Sequence, residues 1–359
     1  MPYRFFKNGV NLLLKRQTNI LSAAFIIMIT VIFSQVLGLF RQRLLVSIFG
    51  ASDTLGVYLA SARLPDFLFQ LIIAGALSSA FIPVFSEYVG KGKIQEANRI
   101  GSNLLMLGLI IFLLLATVLF LFAQFFLSLI APGFSQEQIQ LMASLMRIII
   151  FGEILFILGS FLAAVLQSYN HFFIPGIAAA FYNLGVIFGI VVFSPTVGIF
   201  APAYGVIFGA FVFRFRTSGV LEVLRLMWPR TLSIAVFQVG TLATVTLISF
   251  LSSPGRNYVI FDYAQTLAFA PIVLFGQTIA QAAFPVLSRQ RERIEEFKQV
   301  FITSFNQMLY LVLPVSILLL VLRIPIVRLA YGASQFDWQA TVPFTILRRH
   351  LLLAQLQQD

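Results

Sequence analysis

The chain has 359 residues, 59% of them hydrophobic and only 10% charged, with 40 phenylalanines and a formal net charge of +11. A soluble domain carries about 25% charged residues; this balance, with uncharged apolar windows of about 18 residues or more, excludes a water-soluble globule and reads as an all-α polytopic membrane protein. The absence of cysteine excludes disulfides and thiolate metal sites, and the two histidines, His171 and His350, lie too far apart in sequence to suggest a histidine cluster.

Residues 1–19 carry Arg4, Lys7, Lys15 and Arg16 among apolar residues and lack a clear small-residue cleavage site. They read as a cytoplasmic amphipathic lead-in, not a signal peptide. Nine spans follow, at 20–49, 54–87, 102–130, 137–166, 173–193, 197–213, 232–251, 258–285 and 304–329. The first is expected to break near Arg41, where Gly38 and the charge interrupt the apolar run, and the second at Pro65. Lysine and arginine fall in the loops 88–101, 214–231 and 286–303, while 131–136 and 194–196 have none and 252–257 has only Arg256. The basic loops fall on one side, which by the positive-inside rule is the cytoplasm, together with the N-terminus.

Charged residues inside spans are the candidates for function, because a charge in hydrocarbon costs several kcal/mol unless a cavity or partner accommodates it. The segment FSQVLGLFRQRLL (33–45) supplies Arg41 and Arg43. Both could end a short helix at the interface by snorkelling; a water-filled cavity is the other place for Arg41. In ARLPDF, Arg63 and Asp66 are three apart on one helical face, suited either to a local ion pair or to lining a cavity. Arg147 and Glu153, inside the fourth span, are six apart and point to different faces, so each either meets a neighbouring helix or faces a cavity. The prolines within spans read as kinks.

Two pairs of segments repeat: SSAFIPVFSEY (78–88) with AQAAFPVLSRQ (280–290), and LIAPGFSQEQIQ (129–140) with RLAYGASQFDWQ (328–339). Both offsets are close to 200 residues. Six spans separate equivalent points, so the reading is two parallel lobes around a central cavity: 20–215 as a six-helix N-terminal lobe and 216–359 as a C-terminal lobe of about three helices and a polar tail. After SQFDWQATVPFTI the first lobe predicts a long apolar helix, whereas the sequence continues LRRHLLLAQLQQD; the second lobe is therefore expected to be truncated.

The segments FSQVLGLFRQ, FGASDTLGVYLASARLPD, GALSSAFIPVFSEY, LAAVLQSYNHFFIPGIAAAFYNLGVIFG, EVLRLMWPRTLSIAV and GQTIAQAAFPVLS together resemble the MurJ/MviN family of lipid II flippases, within the superfamily of multidrug, oligosaccharidyl-lipid and polysaccharide exporters. The resemblance implies up to fourteen helices and alternating access that carries lipid-linked peptidoglycan precursor across the bacterial cytoplasmic membrane. It implies lipid II, membrane lipids and proteins of cell-wall synthesis as partners, with neither cofactor nor nucleic acid. It also implies substrate contacts at Ser34 and Arg41, with Arg63, Asp66, Arg147 and Glu153 as further candidates, and it makes Arg41 the cavity arginine. The sequence departs from the family pattern at Gln35, Gln42, Gly56, Phe69, Ala74, Gln265 and Thr266, positions where charged residues are usual: an acid at Gln42 and at Gly56, and an acid–arginine pair at Gln265 and Thr266.

Lipid II carries a dianionic pyrophosphate. Arginine suits it, because the planar guanidinium donates paired hydrogen bonds and stays charged. Two other readings remain open: an exporter of polysaccharide or drugs, and a non-transporting remnant or scaffold in a cell-wall complex. An enzyme is not expected, since no nucleophile–base arrangement, metal cluster or phosphate-cradling glycine loop is present in the sequence.

Overall fold

The computed structural model describes residues 20–72, 81, 84–85, 88–89, 91–168, 173–211, 238–276, 279–280, 283 and 294–332. Among them there is helix and no strand. The lead-in 1–19, Pro83, Pro285 and the polar tail lie outside the described residues.

In chain order the helices are α1 (Ile20–Phe49), α2 (Asp53–Ser61), α3 (Arg63–Ile72), α4 (Ile94–Leu121), α5 (Ala123–Ile130), α6 (Gln136–Ser168), α7 (Phe173–Val197) and α8 (Ala201–Phe211). Then come α9 (Gln238–Ser249), α10 (Pro254–Pro271), α11 (Ile294–Val321) and α12 (Arg323–Tyr331). Each of the nine expected spans carries helix. Six helical stretches among the described residues are long and apolar enough to cross a membrane, and Gln238–Ser249 is a shorter apolar helix. The protein is a multi-pass membrane protein.

The breaks have local causes. Pro65 has no N–H to give Ser61 and its ring crowds that carbonyl, so helix α2 stops at Ser61 and α3 restarts at Arg63 with the proline in its first turn. Pro271 also lacks an N–H for the residue four before it, but α10 runs on to Pro271 and then widens into a π turn at Ile272–Gly276. The break expected near Arg41 does not occur: α1 is continuous from Ile20 to Phe49. A single interior glycine costs only about 1 kcal/mol, and Gln42 and Arg43 find hydrogen-bond partners on other helices without disturbing the backbone of α1.

The chain divides into two compact units. The described residues of Ser52–Tyr258 form one; those of Gln17–Ala51 and Val259–Asp359 form the other. The expected lobe boundary at 215/216 and these units differ in where they place two helices: α1 joins the second unit and α9 the first.

In the first unit α6 is central. It packs against α2, α3, α4, α5, α7 and α8, which explains why it is apolar nearly all round. The Phe81 ring packs at a tilt against Phe85 and Phe161, each at 5.0 Å between ring centroids, in a cluster with Ala97 and Leu104 of α4. Helices α7 and α8 form a hairpin that turns at Gly198, whose φ is +56°. Its two arms meet through glycines: a β-carbon on Gly185 would lie 2.4 Å from the Cα of Gly209, and one on Gly189 would lie 2.6 Å from the Cα of Gly205. Small residues at four-residue spacing let helix backbones approach where lipid supplies no hydrophobic drive.

The end of α9 is fixed in the same unit. The Thr246 hydroxyl donates to the Ile130 carbonyl at 2.8 Å, and the Gly133 N–H donates to Ser249 Oγ at 3.2 Å. In the second unit the end of α1 is fixed in the matching way, on the end of α12. The repeat is visible in the helix boundaries themselves. Leu121, Phe122 and Ala123 delimit the α4/α5 break, and Val321, Leu322 and Arg323 delimit the α11/α12 break. Phe122 has φ −100° and ψ 29°, and Leu322 has φ −90° and ψ 25°. The two helix pairs thus run in the same register 200 residues apart, as the sequence repeat predicts. In that register α9 corresponds to the C-terminal part of α1, so each unit holds the leading helix of the other repeat.

Candidate functional site

In the first unit, α2 and α10 begin side by side. Ser52 caps α2 by accepting from Leu55 N–H, and the Asp53 carboxylate accepts the Arg256 N–H at 2.8 Å. The backbones touch: a β-carbon on Gly56 would lie 1.9 Å from the Gly255 carbonyl oxygen. This crossing sets Tyr258, buried in the second turn of α10, beside Arg63 at the start of α3. Arg63 Nε donates to the Tyr258 hydroxyl. The guanidinium carbon lies 5.6 Å from the centre of the tyrosine ring, within cation–π reach.

One turn along α3, Asp66 lies within electrostatic range of Glu153 on α6. Glu153 is 4% exposed. The first unit therefore brings Asp66 and Glu153 together at the α3–α6 contact, while Arg63, one turn earlier on α3, lies against Tyr258 of α10. Arg147 is engaged elsewhere. Its Nε donates to the Phe120 carbonyl at 3.1 Å and its guanidinium lies 5.5 Å from the Phe120 ring centre. Phe120 is in the last turn of α4, where carbonyls lack helical partners, so Arg147 closes that helix end. The different faces read from the six-residue spacing are thus occupied by different helices, α4 for Arg147 and α3 for Glu153.

In the second unit, Ser34 and Arg41 are both half-buried on α1. Next to Arg41 the chain is bonded tightly. Gln42 is 7% exposed; its Nε2 donates to Thr266 Oγ1 at 3.2 Å and its Oε1 accepts from the Tyr331 hydroxyl at 2.9 Å. Its backbone carbonyl accepts from the Tyr263 hydroxyl at 3.4 Å, and the Tyr263 and Tyr331 rings lie 5.0 Å apart. Arg43 Nη1 donates to the Leu329 carbonyl at 2.8 Å, and Nη2 donates to the Gly332 carbonyl at 3.4 Å. Arg43 therefore caps the negative end of α12, a specific role beyond snorkelling. Tyrosines 258, 263 and 331 carry no local sequence signal for these contacts, because their partners are up to 289 residues away.

A family model described as lipid II flippase MurJ matches residues 45–348. The chain belongs to the MurJ family. A probable lipid II flippase MurJ of Thermotoga maritima is 33% identical over 313 residues, covering 85% of this chain and 64% of that protein. Another from Buchnera aphidicola subsp. Schizaphis graminum is 28% identical over 347 residues, covering 89% and 66%. The chain spans just under two thirds of the length of these two relatives. A solved lipid II flippase MurJ in an inward closed conformation is 25% identical with a TM-score of 0.75, covering 92% of this chain and 72% of that one.

Within this MurJ-family chain two of the sequence departures lie side by side. Gln42 stands where the resemblance places an acid and Thr266 where it places an arginine, and here the two side chains hydrogen-bond each other. A neutral amide–hydroxyl pair occupies the two positions. Neither position is left as a buried charge without its partner, which would cost about 3–5 kcal/mol.

Proposed function

We propose that this chain moves lipid II from the inner to the outer leaflet of the bacterial cytoplasmic membrane by alternating access, with its N-terminus in the cytoplasm. The match to the MurJ family over residues 45–348 carries this reading. The chemistry agrees with it. Arg41 of the second unit and Arg63 of the first each lie on an apolar helix, where a guanidinium is costly unless it serves an anion or faces water, and each taken by itself is suited to a phosphate oxygen. Ser34, two turns before Arg41, would add a neutral hydroxyl. Asp66 and Glu153 would accept hydrogen bonds from the sugar–peptide head and moderate the positive charge, so that the pyrophosphate is bound weakly enough to leave. Arg147 would act indirectly, by holding α4 to α6. The proposed transporting lobes are 20–215 and 216–359.

Rescue of a bacterium depleted of its own lipid II flippase tests the proposal. Expression of this chain should restore growth. Arg41→Ala should abolish rescue while the protein stays in the membrane, and Arg41→Lys should rescue partly, since an ammonium lacks the paired fork. Failure of the wild-type chain to rescue would overturn the activity and favour the scaffold reading. Full rescue by Arg41→Ala would remove Arg41 from the substrate site.

A further inference from the structure

We infer that Arg147 binds the phosphate of an anionic membrane phospholipid with the Nη1–Nη2 edge of its guanidinium. The inference is independent of the proposed transport activity and lies wholly within the first unit. The Phe120 carbonyl accepts the Nε proton, and the Phe120 ring centre lies 5.5 Å from the guanidinium carbon. Neither Nη nitrogen has a hydrogen-bond acceptor among the described residues, and neither is a buried atom. The guanidinium is thus anchored at one side and open at the other. The open edge is a pair of parallel N–H donors, matched to two oxygens of one phosphate.

Arg147 lies about 16 Å along the axis of α6 from Gln136, its first residue, which is roughly half the thickness of a hydrocarbon core of about 30 Å. Open guanidinium donors at that depth are costly in hydrocarbon alone. Two features of the surface suit a phospholipid. On the same helical face, Gln140 and Ser144 make a polar track from the N-terminal end of α6 down to Arg147. Helical side chains lean toward that end, so the fork and a headgroup approach each other along the track. Around the fork, Leu121, Phe122, Phe125 and Phe151 are bulky, apolar and more than half exposed, a surface for acyl chains. Carboxylates do not compete for the fork. Glu137 is in the first turn of α6, Glu153 faces α3, the one acid of α4, Glu96, is in its first turn, and α5 has none.

The full chain in detergent micelles, titrated with fluorescent phosphatidylglycerol, provides the test. Wild type should bind it saturably, and Arg147→Gln should weaken binding about ten-fold, as expected for a charged hydrogen bond. That variant also loses its bond to the end of α4, so Ser144→Asp gives a second reading. It keeps the Phe120 contacts and offers the fork an internal carboxylate three residues away; it should weaken binding as much while the melting temperature is kept. Arg99→Gln removes an exposed charge at the other end of α4 and should bind as wild type does. Equal affinity of wild type, Arg147→Gln and Ser144→Asp would overturn the site, and so would an equal loss in Arg99→Gln, which marks diffuse attraction. Inorganic phosphate should not displace the labelled lipid, because it leaves the apolar surround unused; displacement as effective as by unlabelled phosphatidylglycerol would overturn the assignment to a lipid. Stronger displacement by a polyprenyl pyrophosphate than by phosphatidylglycerol would overturn the phospholipid and make Arg147 a ligand of the transported substrate.

Discussion

The hydroxyl of Tyr331 donates to Oε1 of Gln42 across 2.9 Å, joining the first described helix to the last. Gln42 also holds Thr266 of α10, so a single amide ties three helices of the second unit together. Gln42→Leu fills the space but removes the side-chain hydrogen bonds to Thr266 and Tyr331, at a cost of about 1 kcal/mol each. Thermal unfolding in detergent should show the lower midpoint. Gln42→Asp should destabilise more, by burying a charge, and adding Thr266→Arg should recover part of that loss.

Arg43 donates to two carbonyls at the end of α12. Arg43→Ala should cost about 1 kcal/mol, from the lost hydrogen bonds and the lost charge at a helix C-terminus. Hydrogen exchange at residues 328–332 should become faster. Arg41→Ala should leave exchange there at the wild-type rate, which separates the cap from its neighbour.

The α7–α8 hairpin has no room for side chains where its glycines meet. A β-carbon on Gly205 would lie 2.6 Å from the Gly185 carbonyl oxygen, whereas one on Gly240 meets nothing within 4 Å. Gly205→Leu should therefore reduce the yield of monodisperse protein sharply, overpacking costing about 1–3 kcal/mol or more. Gly240→Leu should be extracted as well as wild type. Equal yields from the two variants would contradict the close approach of the two arms.

Gly92 and Ser135 bracket α4 and α5 and lie in exposed turns. Gly92 has φ +74° and open space around its α-carbon, so an inserted reporter should be tolerated. A reporter at Gly92 should give a cytoplasmic signal and one at Ser135 an external signal. The reverse pattern would refute the orientation drawn from the basic loops.

Much of the fold was legible in the sequence because its determinants are local. Long uncharged runs fix membrane spans whatever surrounds them. Pro65 and Pro271 disrupt helices through their own rings and missing N–H groups. The repeat could be read because equivalent helices conserve their breaks in sequence register, and the turns at Phe122 and Leu322 fall 200 residues apart. The break expected near Arg41 was misplaced for the same reason inverted. Charge and glycine are local signals against a helix, and the bonds that keep Gln42 and Arg43 in place come from residues more than 220 positions away.

The sequence by itself determined that this is a helical membrane protein of the MurJ family, with two repeats and arginines inside its spans. Only the tertiary structure decided what those charged and polar residues touch. Hydrophobic periodicity says which face of a helix is apolar, not which helix covers it. It could not assign Arg147 to the end of α4, pair Gln42 with Thr266, set Tyr258 against Arg63, or place α1 in the unit of the second repeat. Those outcomes depend on backbones meeting at Gly56 and Gly255 and on hydrogen bonds formed across hundreds of residues, where no local pattern carries the information.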